Sequence, residues 1–324
     1  MAAAGPLLLG IEIGGTKLQL GLGQGDGQLI GLARLVIRVD EGAAGILRQI
    51  AEALPRLLET EGLGDSWPSA VGIGFGGPVD ADRGAVVRSH QVEGWDGYDL
   101  AGWARGSLRI PRVAVQNDAD TAGLGEARFG AGVGLSPVFY VTVGSGIGGG
   151  LILGGRIYRG SGLGAAEIGH LWVDVEDQGP RRLEDVASGW SVGWAARRIL
   201  DEDVGSGPLQ ELAGNDPSRV DARLVATAAR AGDPRASALL ARASRAMGQA
   251  LAHVVTLLGP RRIILGGGVS LIEEALWLGP IRATVRERAF PPFLHEYDIV
   301  PAALGEVVVV HGALALAADL AAIA

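Results

Sequence analysis

Leu8-Leu9-Gly10-Ile11-Glu12-Ile13-Gly14-Gly15-Thr16-Lys17-Leu18-Gln19-Leu20 sets short apolar runs on either side of a glycine pair. Aliphatic and β-branched residues flank the glycines and no helix-length pattern follows, so the stretch predicts strand, tight turn, strand. A second block of this kind lies far along the chain, Phe139-Tyr140-Val141-Thr142-Val143-Gly144-Ser145-Gly146-Ile147-Gly148-Gly149-Gly150-Leu151-Ile152. Glycine has no Cβ, so backbone N–H groups in such a turn can approach an anion closely and point at it together. One such block reads equally well as an ordinary β-hairpin. Two of them point to phosphate-holding hairpins of a nucleotide site. A P-loop is excluded, because Gly14-Gly15-Thr16-Lys17 has Thr and Lys in the opposite order and runs into a strand. A dinucleotide fingerprint is excluded too, because Leu151-Ile152-Leu153 after the second cluster is strand-like where that motif needs a helix.

At 324 residues with 48% hydrophobic content the chain has material for two lobes, each with its own core. The formal net charge is −8, and no run of basic residues exceeds the pairs Arg181-Arg182, Arg197-Arg198 and Arg261-Arg262. Nucleic acid is therefore not expected as a partner. With no cysteine there is no disulfide, thiolate zinc site or cysteine nucleophile. The apolar start lacks a positive flank and a signal-length core, so a cytoplasmic location is expected. No membrane span is expected, since charged residues or glycines interrupt every apolar stretch before the roughly 18 to 20 residues a spanning helix needs.

Outward from the first hairpin, Leu29 to Val39 alternates as a third strand, and Ile46, Leu47, Ile50, Leu54, Leu57 and Leu58 recur at helical spacing. Val71–Phe75 and Val113–Val115 read as short buried strands, and Thr121–Phe129 as a helix. The second hairpin opens a similar succession, with helices over Trp190–Leu200 and Ala236–Leu258. In the latter, Leu240, Ala243, Met247, Leu251, Val254 and Leu258 form one core-facing stripe. Arg262–Leu265 reads as a strand running into Gly266-Gly267-Gly268, with a helix expected from near Leu271. Phe293–Pro301 is a return crossing and Val307–Leu320 a last helix packing on the first lobe. Two related α/β lobes closing on ATP are expected.

Between the hairpins, Val115-Gln116-Asn117-Asp118-Ala119-Asp120 puts polar residues where a strand ends and a helix begins. α/β folds place catalytic groups at such ends. A carboxylate there can take the proton from a substrate hydroxyl that attacks a γ-phosphate, which makes Asp118 a candidate base. Asn117 and Asp118 equally suit helix capping. Glu167-Ile168-Gly169-His170 and Glu184 form a third polar group, able to read sugar hydroxyls, or else solvated carboxylates and a packed histidine.

Taken in order, these segments resemble the ROK family of sugar kinases, within the hexokinase and actin-like ATPase superfamily. The resemblance runs from Gly10 to the C-terminus. The first hairpin resembles the family's D-x-G-G-T-K, and Gln116-Asn117-Asp118-Ala119-Asp120 with Gly125-Glu126 its E-N-D-A-N and G-E. Gly144 to Gly150 resembles G-T-G-I-G-G-G, and Glu167-Ile168-Gly169-His170 matches E-x-G-H. Gly266-Gly267-Gly268 with Gly312-Ala313 resembles the adenosine end.

The resemblance implies a two-lobed α/β fold of the actin-like ATPase (ribonuclease H-like) type with its active site in the cleft. The lobes would be residues 1–117, joined by the last helix at 303–324, and residues 118–302. It implies ATP-dependent phosphorylation of a hexose, glucose first, with fructose, mannose, allose or an N-acetylated amino sugar as alternatives. Asp118 would be the base, and Gly77, Asn117, Glu167, His170 and Glu184 would hold the sugar. Gly14, Gly15, Thr16, Lys17, Gly144, Ser145, Gly146, Gly266, Gly267 and Gly268 would hold the nucleotide. Mg²⁺ would accompany ATP, and the enzyme would be a homodimer.

Three departures from the family pattern bear on chemistry. Glu12 replaces the usual Asp, which moves the carboxylate outward by about a bond length and routes a Mg²⁺ contact through water. The family's cysteine-rich zinc loop is replaced by Val175-Glu176-Asp177-Gln178-Gly179-Pro180-Arg181-Arg182, so zinc is not expected and His170 would serve the sugar alone. Gln91, in Ser89-His90-Gln91-Val92-Glu93-Gly94-Trp95, stands where Asn is common and bears on sugar choice. The family also includes sugar-responsive repressors, but only nine residues precede Gly10, too few for a helix-turn-helix. A catalytically degenerate sugar-binding protein is the remaining alternative.

Overall fold

β1 (Leu8–Ile13) is buried at all six positions, as befits the middle strand of a sheet covered on both faces. The computed structural model describes residues 5–89, 91–176, 178–202, 206–214 and 216–322. His90 and Asp177, quoted above within their segments, lie outside the described residues. β2 (Lys17–Gly23) returns antiparallel across the glycine turn, with Ile13 opposite Leu18. β3 (Leu29–Val36) pairs antiparallel with β2 and ends three residues short of the expected Val39, where a 3-10 turn begins.

After α1 (Gly42–Thr60), β4 (Ala70–Phe75) joins the other side of β1 in parallel. A small hairpin, β5 (Val79–Asp80) and β6 (Ala85–Val86), and α2 (Leu100–Ser107) lead to β7 (Arg112–Asn117), parallel to β4. α3 (Asp118–Phe129) begins directly where β7 ends. The sheet order is β3-β2-β1-β4-β7.

The succession then repeats. β8 (Val138–Val143), β9 (Ile147–Leu153) and β10 (Arg156–Ile157) are followed by the β11 (Trp172–Val175) and β12 (Gly179–Arg182) hairpin. Five helices come next: α4 (Glu184–Ala187), α5 (Gly189–Glu202), α6 (Pro208–Ala213), α7 (Ala222–Arg230) and α8 (Pro234–Leu258). The chain closes with β13 (Arg262–Gly266), α9 (Leu278–Arg288), β14 (Asp298–Pro301) and α10 (Val308–Ala322). The second sheet, β10-β9-β8-β13-β14, again adds parallel strands beyond a glycine hairpin.

The chain divides into two compact units. Unit 1 is Met1–Ser136, Gly150–Ala165 and Ala303–Ala324, and unit 2 is Pro137–Gly149 and Ala166–Ala302. α3, assigned by the sequence to the start of the second lobe, therefore belongs to unit 1, as do residues 150–165. The reason is glycine. A Cβ on Gly125 of α3 would stand 2.6 Å from the Val308 carbonyl oxygen, and one on Gly312 of α10 would overlap the Thr121 carbonyl oxygen. Only a pair of glycines lets these two helix backbones touch.

The core of unit 1 gathers Leu9, Ile11, Ile13, Leu18 and Leu20 from the hairpin with Ile46, Ile50 and Leu54 of α1, all essentially inaccessible. Each contributes roughly 1.5–3 kcal/mol by burial. In unit 2, the α8 stripe from Leu240 to Val254 is buried as its spacing predicts, but Leu258, in the last turn, is 42% exposed. Gly305–Ala322, with mean hydropathy 1.6, is by length and composition apolar enough to cross a membrane, against the reasoning that charges or glycines interrupt every such stretch. Glu306 and Asp319 are too few to break the stretch. Half of it is buried inside the protein, where α10 packs on α3 and on β1 and β4 as a core helix.

Candidate active site

In unit 1 the glycine turn is closed by the Gly14 N–H donating to the Lys17 carbonyl at 2.9 Å. A Cβ on Gly15 would overlap the Gln91 carboxamide, so Gln91, flagged for sugar choice, lies against this glycine turn. Lys17 does not point freely outward. Its ammonium pairs with Glu12 at 2.9 Å and donates to the Glu306 carbonyl at 3.0 Å, tying the hairpin to the approach of α10.

Glu12 is 7% exposed. Burial, the largest influence, raises its carboxyl from 4.5 to about 7 against the opposing pull of Lys17, with Asp118 and Glu306 adding to the rise. Folding thus favours the protonated form. The stability that this group contributes is complete below pH 4.5 and is lost as pH rises through about 7. The parent should lose on the order of 3 kcal/mol across that window. Glu12→Gln should flatten the loss, read from urea midpoints at several pH values. An unchanged slope in the variant would mean that Glu12 does not carry the effect.

The end of β7 and the start of α3 lie next to this turn. The Asn117 side-chain oxygen accepts from the Ala119 and Asp120 N–H groups at 2.8 and 3.3 Å, the N-cap role its position suggested. Its amide also donates to the Gly77 carbonyl at 3.1 Å, which fixes the Gly74–Val79 bend. Asp118 accepts from the Ala119 N–H at 2.9 Å through Oδ1. A Cβ on Gly76 would stand 3.3 Å from the Gly14 Cα and 3.6 Å from Asp118 Oδ2, and the Gly76 N–H donates to the Ile13 carbonyl at 2.8 Å. Unit 1 thus brings the Asp118 carboxylate, the Gly76-Gly77 bend and the Gly14 turn together.

Unit 2 builds a matching arrangement. The Gly144 N–H donates to the Gly146 carbonyl at 2.9 Å, and the Gly189 N–H at the start of α5 donates to the Gly144 carbonyl at 2.8 Å. Glu184 is drawn onto this turn: Oε2 accepts from the Ile147 N–H at 3.0 Å. Gly149 and Gly169 let β9 run against the segment carrying Glu167 and His170, since a Cβ on either would overlap a facing carbonyl oxygen. Ala166 just before Glu167 sits at φ 64°, a left-handed conformation that costs a non-glycine residue about 1–3 kcal/mol. Glu167 and His170 are exposed at a 3-10 turn whose backbone lies against the start of β9, where the Glu184 carboxylate is also bound.

One sequence expectation about the glycine run after β13 needs correction. The helix expected near Leu271 is a single 3-10 turn, Gly268–Leu271, and the next α-helix starts only at Leu278. Gly266 and Gly267 are required by packing inside unit 2, where a Cβ would overlap the Tyr140 hydroxyl or stand 2.5 Å from the Val143 carbonyl oxygen. Gly312 and Ala313 are buried in unit 1, Gly312 against α3 and Ala313 against Gly72 of β4. Sequence reasoning also missed what Glu126 does. Fully buried, its carboxylate accepts from the N–H groups of Ala131, Ala303 and Leu304 at 2.7, 2.9 and 2.8 Å, clamping the end of α3 to the entry of α10. Among the described residues there is no cluster of three or more His, Asp or Glu able to hold a metal ion.

The ROK family model matches residues 8–320. The chain is 34% identical to a glucokinase of Thermotoga maritima over 310 residues, covering 92% of this chain and 93% of the relative. Among solved structures, a ROK family glucokinase from Streptomyces griseus in complex with glucose and AMPPNP is 32% identical, with a TM-score of 0.80 over 97% of this chain and 99% of that one. A ROK hexokinase from Thermus thermophilus is 27% identical, with a TM-score of 0.81 over 98% of this chain and 100% of that one. The α/β architecture is that of these sugar kinases.

Proposed function

Because this chain belongs to the ROK family, we propose that it is an ATP-dependent hexose kinase that transfers the γ-phosphoryl group to the 6-hydroxyl, with glucose as its leading substrate. The observation that carries the chemistry is the Asp118 carboxylate beside Gly76 and the Gly14 turn. Asp118 takes the proton from the sugar hydroxyl as that oxygen bonds to the γ-phosphorus, and the bond to the β-phosphate bridging oxygen breaks to release ADP. Glu167, His170 and Glu184 of unit 2 are read as ligands of sugar hydroxyls, and so are Asn117 and the backbone at Gly77 of unit 1. A site that pairs each hydroxyl rejects analogues lacking one, because a buried partner is left unsatisfied.

The turns at Gly14–Thr16 and Gly144–Gly146 offer backbone N–H groups to the phosphates. Lys17 serves them by holding Glu12. Mg²⁺ fits a donor set of this kind, which needs one or two carboxylates with water and substrate phosphates completing the shell. Glu12 would hold it through water, and the ion would offset phosphate charge. The enzyme is read as cytoplasmic and homodimeric, in keeping with a chain that has no cysteine.

A coupled ADP-release assay over glucose, fructose, mannose, allose and N-acetylated amino sugars tests the reading. Glucose should give the highest kcat/KM. If several sugars raise the melting temperature and none releases ADP, the chain is a sugar-binding protein without turnover.

A further inference from the structure

Within unit 1, a groove of about 660 Å³ opens between the β9–β10 turn, α3 and the end of α10. Three arginines line it, and they are used very differently. Arg128 is fully engaged: it grips both Asp319 carboxylate oxygens at 2.7 Å and donates twice to the Gly155 carbonyl, at 3.2 and 3.0 Å. Arg159 pairs with Asp82 at 2.6 Å through one terminal nitrogen, but its Nε is buried with no hydrogen-bond partner. Arg156 is exposed and has no carboxylate partner among the described residues.

A guanidinium donor removed from water and left unanswered is costly, so such groups in a native fold call for an explanation. Here the explanation is on the same wall. Three guanidinium groups share the groove with a single carboxylate, Asp319, in a chain whose formal net charge is −8. The planar donor fork of arginine fits the oxygens of a phosphate group. Leu124, Ile157 and Leu316 also line the groove, and their apolar surface suits the body of a small organic molecule.

We propose that this groove is a second ligand site, distinct from the phosphate turns, that binds a phosphorylated small metabolite with its phosphate on the Arg156 and Arg159 guanidinium groups. Gln116, which also lines the groove, immediately precedes Asn117 and Asp118 on β7, and Leu124 and Arg128 lie on the helix that Asp118 begins. Occupancy therefore acts on the element that carries the base and changes turnover. This regulatory part rests on the assignment of Asp118 as the base; the binding part does not.

The test labels isoleucine and leucine methyl groups with ¹³C in the full chain and saturates the protein with AMPPNP to occupy the phosphate turns. Inorganic phosphate and, separately, glucose 6-phosphate are then titrated. The Ile157 and Leu316 methyl signals should shift saturably, more tightly with the sugar phosphate. Arg156→Ala should weaken the titration about tenfold and Arg156→Glu should abolish it. Arg156 is exposed, so neither change threatens folding. Signals that stay still with both probes, or that titrate equally in Arg156→Glu, overturn the site. Saturable shifts with kcat unchanged at full occupancy overturn the regulatory part alone. If the methyl groups titrate while no sugar is phosphorylated, the kinase reading fails and the site stands.

Discussion

Asp118→Asn lowers kcat by about a hundredfold to ten-thousandfold and leaves the sugar KM within about threefold of the parent. On the barrier this is roughly 3–5 kcal/mol. The substitution removes basicity while keeping shape and an oxygen able to accept from the Ala119 N–H, as Oδ1 does now at 2.9 Å. The start of α3 is therefore preserved, all the more because its cap is supplied separately by Asn117. That separation makes the experiment decisive between the two roles the sequence left open. If Asp118 only completes the first turn of α3, Asp118→Asn turns over like the parent. If it is the base, the melting temperature stays nearly constant while kcat collapses.

Gly312→Val destabilises unit 1 by about 3 kcal/mol or more, an effect expected when a side chain is forced into a packed core with no room to relax. The added Cβ would overlap the Thr121 carbonyl oxygen, and its backbone lies against Gly125 on the other helix. No rotamer relieves this, because the obstacle is main chain on both sides. α3 has to move away from α10, which also strains the clamp that Glu126 makes to Ala303 and Leu304. Thermal unfolding followed by circular dichroism should show a drop of roughly 6–12 °C. Gly62→Val is the control: that glycine has open space around its Cβ position and lies on the surface after α1, so only the cost of its positive φ, 70°, remains. Equal losses in the two variants would show that close helix approach is not what position 312 enforces.

Much of the fold was legible because the hairpin strands are mostly apolar or glycine and Gly14-Gly15 and Gly144-Ser145-Gly146 fall at the turns, so composition and turn chemistry agree at β1–β2 and β8–β9. The candidate base, Asp118, was legible as part of a polar cluster at a strand end. What escaped depends on partners distant in sequence. Glu126 reads as one more surface carboxylate of a helix, and only the return of residues 303–304, far along the chain, reveals it as a buried clamp. The packing of Gly312 on Thr121 was also hidden, because sequence cannot tell a close approach by a ligand from a close approach by another helix. Lys17 looked available to phosphate, since the Glu306 carbonyl that shares it lies 289 residues away. The last helix is more apolar than the sequence reasoning allowed, since two acidic residues do not offset its aliphatic majority, and its packing on α3, β1 and β4 accounts for that composition.

The identity of the product tests the central claim most directly. Mg-ATP and glucose are incubated with the enzyme and followed by ³¹P NMR with proton coupling. The account predicts a phosphomonoester signal split into a triplet by the two protons on C6, growing in step with ADP. ATP left intact, or a doublet from a phosphate on a ring carbon, would contradict it.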